Sequence, residues 1–238
     1  MQEIEHLCAA SVEKKFKPTL ELAFRKMLGA PETQGDWLEY RLDPASKSPT
    51  LLFSYPQTVS MAVSYIVQSV KIEFGSLTDQ QPKGMHVIRP MLGSVFPEDF
   101  EDFRSEVVAL ELERTFWEKA TILHAEFHRP ADQPIRDRFA RHYSDLAALW
   151  LHPNGRSAAA RLDLFERVVT HKRRYFASSW ANYESAIPGS LRLVPPVARM
   201  DQLSEDYDKM AVMFLSTPPA FAEICRAVRD AEIAINHS

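Results

Sequence analysis

A chain of 238 residues with 45% hydrophobic content suffices for one large domain or two small ones, and can bury a core without disulfide or metal staples. A formal net charge of −4 excludes a global basic field, so any nucleic-acid contact has to come from a local patch. Only two cysteines, Cys8 and Cys225, both among apolar neighbours, argue against a disulfide framework or a thiolate zinc site. There is no apolar leader and no apolar run of ~18 residues, which points to a cytoplasmic protein with no membrane span.

In chain order, residues 2–28 open with helical spacing at Ile4, Leu7, Cys8, Val12 and Phe16. Pro18 is expected to break that run, Leu20–Leu28 to resume it, and Gly29-Ala-Pro31 to end it. Helical character starts almost at Met1 with no capping residue ahead of it, a hint of domain sequence further upstream. The middle is strand-like. Leu38, Tyr40 and Leu42 alternate with charged residues, and Thr50–Tyr55 is β-rich up to Pro56. Val63–Phe74 is the longest strand candidate, with Val70, Ile72 and Phe74 facing one way and Lys71 and Glu73 the other. Met85–Ile88 and Val107–Leu112 read as short strands, the second feeding a helix.

Two helices follow at 112–129 and 136–151. The first carries a stripe of Leu112, Phe116, Ala120, Leu123 and Phe127, and Lys119 points into the middle of it. The second buries Phe139, Tyr143, Leu146 and Trp150, with Arg138, His142 and Asp145 along the stripe's edge. A lysine aimed at a core is costly unless an anion meets it. Two readings follow: a snorkelling Lys119 paired with a nearby carboxylate such as Glu126, or a phosphate-binding lysine facing an aspartate across a helical hairpin.

From 152 onward the pattern is helical. Asn154-Gly155 closes the second helix, and Ser157–Phe176 forms another with Leu162, Phe165, Val168, Val169 and Phe176 inward. A loop with Pro188-Gly189 and Pro195-Pro196 leads to a helix marked by Leu203, Tyr207, Met210, Met213 and Phe214. Thr217-Pro218 reads as the N-cap and first position of a last helix reaching about Asn236. The outline is α+β, a small sheet followed by a helical half, with the joint expected at 111/112.

Two further groups carry alternatives. His124 and His128, spaced i, i+4 around Glu126, are either a zinc pair serving a hydrolase or a solvated face, since both point away from the stripe. His171-Lys172-Arg173-Arg174 with Tyr175, Trp180 and Tyr183 is either a nucleic-acid surface with stacking rings or a charged helix end with core aromatics.

The segments VKIEFG (70–75), ERTFWEKATILHAEFHRP (113–130) and RHYSDLAAL (141–149) resemble the AbiEii/AbiGii-type nucleotidyltransferase toxins. So do HKRRYF (171–176), WANYESAIPGSLRLVP (180–195) and DYDKMAVMF (206–214), and the likeness covers nearly the whole chain. The resemblance implies a polymerase-β-like nucleotidyltransferase core, its remainder in 1–111, followed by a helical C-terminal domain, 112–238. It implies a toxin that moves nucleotides from an NTP to RNA, with transfer RNA the expected acceptor, beside a separate antitoxin. By the same resemblance Glu73 matches a metal-facing acid for Mg²⁺, Lys119 the lysine that neutralises phosphate charge, and Asp145 a later aspartate that positions the attacking hydroxyl or the metal. Lys71, Arg141 and His142 fall to nucleotide binding, and Lys172, Arg173 and Arg174 to RNA.

One departure matters. The family's Gly-Gly/Gly-Ser turn and Asp-x-Asp pair are expected ahead of residue 1. The lookalike inside the chain, Gly189-Ser190 followed by Asp206-Tyr207-Asp208, sits in helical spacing. That spacing sets the two acids about 200° apart, so a helix start with solvated acids is the expectation. The reading is therefore a nucleotidyltransferase toxin that is inactive as this chain, or a non-catalytic remnant binding RNA or the antitoxin.

Overall fold

The computed structural model describes residues 2–31, 35–43, 48–55, 67–99 and 104–237. The architecture is α+β, and the chain falls into two compact units, Met1–Thr78 and Asp79–Ser238. The residue pattern draws its joint at 111/112. In the structure the β-hairpin ahead of that joint is grouped with the helices.

In the first unit, α1 (Gln2–Ser11) runs through a π-helical turn, Val12–Phe16, into α2 (Lys17–Leu28). Pro18 does not interrupt the helix, contrary to expectation. It sits at the start of α2, where a missing N–H costs nothing, and the wider turn before it is closed by Lys17 N–H reaching Val12 O. The antiparallel sheet has the order β1 (Leu38–Leu42), β2 (Pro49–Phe53), β3 (Val70–Glu73). The strand expected from Val63 is thus seen over its last residues only; 56–66 lie outside the described residues. Val12, Leu38 and Leu51 form the core, packed by Phe24, Phe53, Ile72 and Phe74. Phe24 stacks on Phe53 at 4.4 Å. The buried Glu21 accepts the backbone N–H groups of Trp37 and Leu38, both at 3.0 Å, and so fixes the start of β1 against α2.

In the second unit β4 (Lys83–Ile88) pairs antiparallel with β5 (Ser105–Leu110), with the short α3 (Met91–Val95) between them. The body is helical: α4 (Leu112–Phe127), α5 (Arg141–Leu151), α6 (Gly155–Ala159), α7 (Leu162–Tyr175), α8 (Met200–Lys209) and α9 (Phe221–Asn236). α4 packs against α5, α6 and α7, and α5 against α9. Phe116, Trp117, Ala120 and Leu123 of α4 are fully buried, with Tyr143 and Leu146 of α5 beside them. Trp117 stacks on Phe165 at 4.4 Å and donates its indole N–H to Ala158 O at 3.1 Å. Gly155 begins α6 in place of closing α5. A Cβ there would lie 2.4 Å from the carbonyl oxygens of Leu149 and Trp150, so the turn admits only glycine.

Three helix limits differ from the spacing. α5 starts at Arg141, not 136, because Arg138 adopts φ +63° and halts the helix on its N-terminal side. The helix expected over 157–176 is broken at Ala160-Arg161, where Asp163 binds the Arg161 guanidinium and begins a new first turn. α9 opens at Phe221, with Glu223 accepting the Ala220 N–H at 3.1 Å, so Thr217 is not its cap. Among the described residues no helix is long and apolar enough to cross a membrane.

Candidate active site

Lys119 rises from α4 at the edge of the buried stripe, not its middle, with 21% of its side chain exposed. Across the α4–α5 hairpin its Nζ donates to Asp145 Oδ2 at 2.6 Å and to His142 Nδ1 at 3.2 Å. Glu126, the carboxylate considered for it from spacing, is instead held by Arg129 at 2.7 Å. Asp145 and His142 lie three residues apart on α5, so one helix face presents both to the lysine.

Burial pushes the His142 imidazole down to about 4, and the cations Lys119, Arg141 and Arg136 push in the same direction against Asp145. At neutral pH the ring is uncharged. His142 also lines a cleft of about 410 Å³, of which Lys119 and Asp145 are not lining residues. Arg136, Arg141, Lys172, Phe139, Trp180 and Tyr183 are among the other side chains of its wall. Arg129 covers the Trp180 ring at 4.3 Å and Arg136 the Phe139 ring at 5.5 Å.

The remaining residues singled out by sequence are placed as follows. Lys71 and Glu73 belong to the first unit and pair with each other at 2.6 Å on the exposed face of β3. Lys172 is taken by Glu118 at 2.6 Å and Arg173 by Glu184 at 2.7 Å, while Arg174 lies over the Tyr175 ring at 5.2 Å. Asp206 is not solvated. It accepts the backbone N–H groups of Arg138 and Ala140, both at 2.8 Å, and Asp208 is exposed. His124 is likewise buried, not solvated. Its Nδ1 accepts from Arg192 N–H at 3.1 Å, which leaves Nε2–H to donate to Asn182 O at 3.0 Å. With both ring nitrogens engaged it has no lone pair for zinc.

Sequence reasoning missed an ion-pair network around Arg114, joined to the cleft wall through Glu118 and Lys172. Arg114, fully buried, donates to Asp79 at 2.6 Å, Glu118 at 2.5 Å and Gln81 O at 2.9 Å, and Arg167 adds a second bond to Asp79 at 2.7 Å. Arg167 and then Arg114 hold the Asp79 carboxyl down to about 2. The available signal was the i, i+4 pair Arg114 and Glu118 on the face beside the apolar stripe.

The donor set of the described residues does not fit a magnesium ion. Glu73 is spent on Lys71, Asp145 on Lys119 and Asp206 on two amides, and no group of three His, Cys, Asp or Glu side chains among the described residues could hold a metal.

Residues 4–231 match the family model described as nucleotidyl transferase AbiEii toxin, type IV toxin–antitoxin system. The chain belongs to the AbiEii family. The family is one of nucleotidyltransferase toxins, so an antitoxin is its counterpart. No curated protein and no solved structure matches the chain. In AbiEii terms the helical hairpin with Lys119 and Asp145 lies well inside the matched span.

Proposed function

We propose that this AbiEii chain handles the phosphate and RNA side of nucleotidyl transfer from an NTP to RNA, transfer RNA being the acceptor we favour. The observation that carries the reading is Lys119, clamped by Asp145 and His142 at the margin of a cleft lined with arginines and aromatic rings. Such a wall suits a polyphosphate on its cations and bases or ribose on its rings. Lys119 is the phosphate cation and Asp145 orients it; Arg141 and His142 serve the nucleotide, and Lys172, Arg173 and Arg174 the RNA. Residues 1–111 are read as part of a polymerase-β-like core, with Lys71 and Glu73 on its sheet, and 112–238 as the helical domain. The setting is cytoplasmic, with an antitoxin as partner.

A second reading is favoured by one observation: the chain's Asp-x-Asp, Asp206 and Asp208, lies on a helix with Asp206 committed to backbone amides. On that ground residues 1–238 bind RNA or the antitoxin without transferring nucleotides.

Incubation with labelled NTPs, Mg²⁺ and transfer RNA separates the two. We expect labelling at least ~1,000-fold below that of an active family member, because paired metal carboxylates supply several kcal/mol of transition-state stabilisation. Labelling by the chain that Lys119→Met abolishes would favour the transfer reading, and none would favour the binding reading. Robust labelling by residues 1–238 that disappears in Asp208→Ala would instead make the helical pair the metal site.

A further inference from the structure

The hydrogen bond between Lys119 and His142 fixes more than position. A lysine ammonium has donors only, so at 3.2 Å the Nδ1 atom of His142 has to accept. The same ammonium is anchored by Asp145 Oδ2 at 2.6 Å, which keeps it from turning away. A neutral imidazole whose Nδ1 accepts carries its proton on Nε2. Burial first, and then the cations Lys119, Arg141 and Arg136 against the one carboxylate of Asp145, disfavour a second proton on the ring. The ring's one lone pair is used by the lysine. His142 therefore has none to offer as a general base.

What it retains is a single N–H. The Phe139 ring meets the imidazole edge-on at 4.9 Å and steadies it. No acceptor meets Nε2 among the described residues, and His142 lines the cleft. The other charged residues in that wall are Glu126, Arg136, Asp137, Arg138, Arg141 and Lys172. Glu126 is held by Arg129 and Lys172 by Glu118, whereas Arg136 and Arg141 have no carboxylate partner among the described residues, so the cations of the wall outnumber its one uncommitted acid, Asp137. Surplus donors in one concavity select an anion with several acceptor oxygens.

We infer that His142 is a neutral Nε2–H donor to a phosphate oxygen bound in this cleft, with Arg136 and Arg141 supplying the charge. The role rests on the cleft being the phosphate-handling site. It assigns His142 hydrogen-bond donation, in the manner of an uncharged histidine held away from its imidazolium form, and denies it proton abstraction.

The tautomer is read directly from a long-range ¹H–¹⁵N correlation spectrum of the ¹⁵N-histidine-labelled chain at pH 7. His142 is identified by the signal lost in His142→Gln; His124, an Nε2–H tautomer on its own geometry, remains. An Nε2–H pattern for His142 is expected, turning into a tautomer mixture in Lys119→Met. An Nδ1–H pattern or an imidazolium would overturn the assignment.

Calorimetric titration with sodium tripolyphosphate then tests the donor. Gln places an amide N–H near the Nε2 position, so His142→Gln should bind within about 3-fold of the parent chain, and His142→Phe should bind roughly 10-fold more weakly, about 1.4 kcal/mol. Circular dichroism melts of both variants establish that they are folded. Equal affinities in all three proteins, equal losses in both variants, or no binding by the parent chain would defeat the proposal. Neither experiment needs nucleotide transfer, so a chain that fails to label RNA while passing both leaves the donor role standing.

Discussion

Asp206 on α8 accepts the backbone N–H of Arg138 at 2.8 Å, 68 positions away in sequence, and the N–H of Ala140 at the same distance. Arg138 is one of two described non-glycine residues with positive φ, and α5 has no side-chain cap from its own N-cap residue, Ala140. The carboxylate thus does for α5 what a local cap would do, and it sustains the left-handed residue ahead of it. Arg136, Phe139 and Arg141 line the cleft from this same turn.

Asp206→Ala should therefore cost about 2–3 kcal/mol of stability, since two amides lose a charged acceptor. Asp208→Ala, on the exposed side of the same helix, should stay within about 0.5 kcal/mol. Urea denaturation of both variants measures the contrast, and equal effects would argue against the capping role.

Lys119→Met should leave the fold intact, with stability changed by no more than about 1 kcal/mol, because the Lys119–Asp145 pair is partly solvated and its geometry trades attraction against desolvation. In a transfer-competent form of the enzyme the same change should abolish labelling. Activity surviving in the variant would remove Lys119 from the chemistry, and loss of folding would make the pair structural.

Arg114→Met should be far more damaging, by about 3 kcal/mol or more, since a fully buried guanidinium leaves Asp79, Glu118 and the Gln81 carbonyl with fewer donors. Arg167→Ala, at the exposed end of the same network, should cost less than about 1 kcal/mol. Thermal melts of the two variants give the ranking directly.

Acid should weaken the protein in two stages. His142 takes up a proton near 6.5 when unfolded but only near 4 when folded. Between those values the unfolded chain holds the extra proton, so stability rises with pH through that window and is lost as pH falls through it. Burial depresses His124 and His128 in the same direction. Asp79 adds a second loss from 3.8 down to about 2, as the carboxylate that Arg167 and Arg114 favour becomes protonated. Urea midpoints at pH 7, 5 and 3 should fall stepwise, and His142→Gln should flatten the first step. A midpoint that ignores pH between 7 and 4 would refute the assignment.

Replacing His124 by Phe should destabilise the second unit by about 2–4 kcal/mol, because the Arg192 N–H and the Asn182 carbonyl would be left facing an apolar ring. Added zinc or a chelator should leave the melting temperature of the parent chain unchanged. A shift of several degrees with zinc would restore the metal reading of His124 and His128.

The sequence by itself determined which surfaces are apolar and which family the chain belongs to. The period of 3.6 in α4 and α5 identified Phe116, Ala120, Leu123, Tyr143 and Leu146 as buried, and the strand period of two put Lys71 and Glu73 on one face. The pairing of a lysine with an aspartate across the hairpin was also legible, since both charges sit at the inner edges of neighbouring helices. Only the tertiary structure decided the partners of the polar groups. Periodicity gives the face a side chain occupies, not what meets it there, and polar groups in a folded chain are satisfied over long separations. Hence the spacing that made Asp206 look solvated could not reveal the amides of Arg138 and Ala140, nor Arg192 and Asn182 around His124. The helix limits moved for the same reason: a carboxylate 68 residues away made a left-handed Arg138 tolerable, and α5 begins after it.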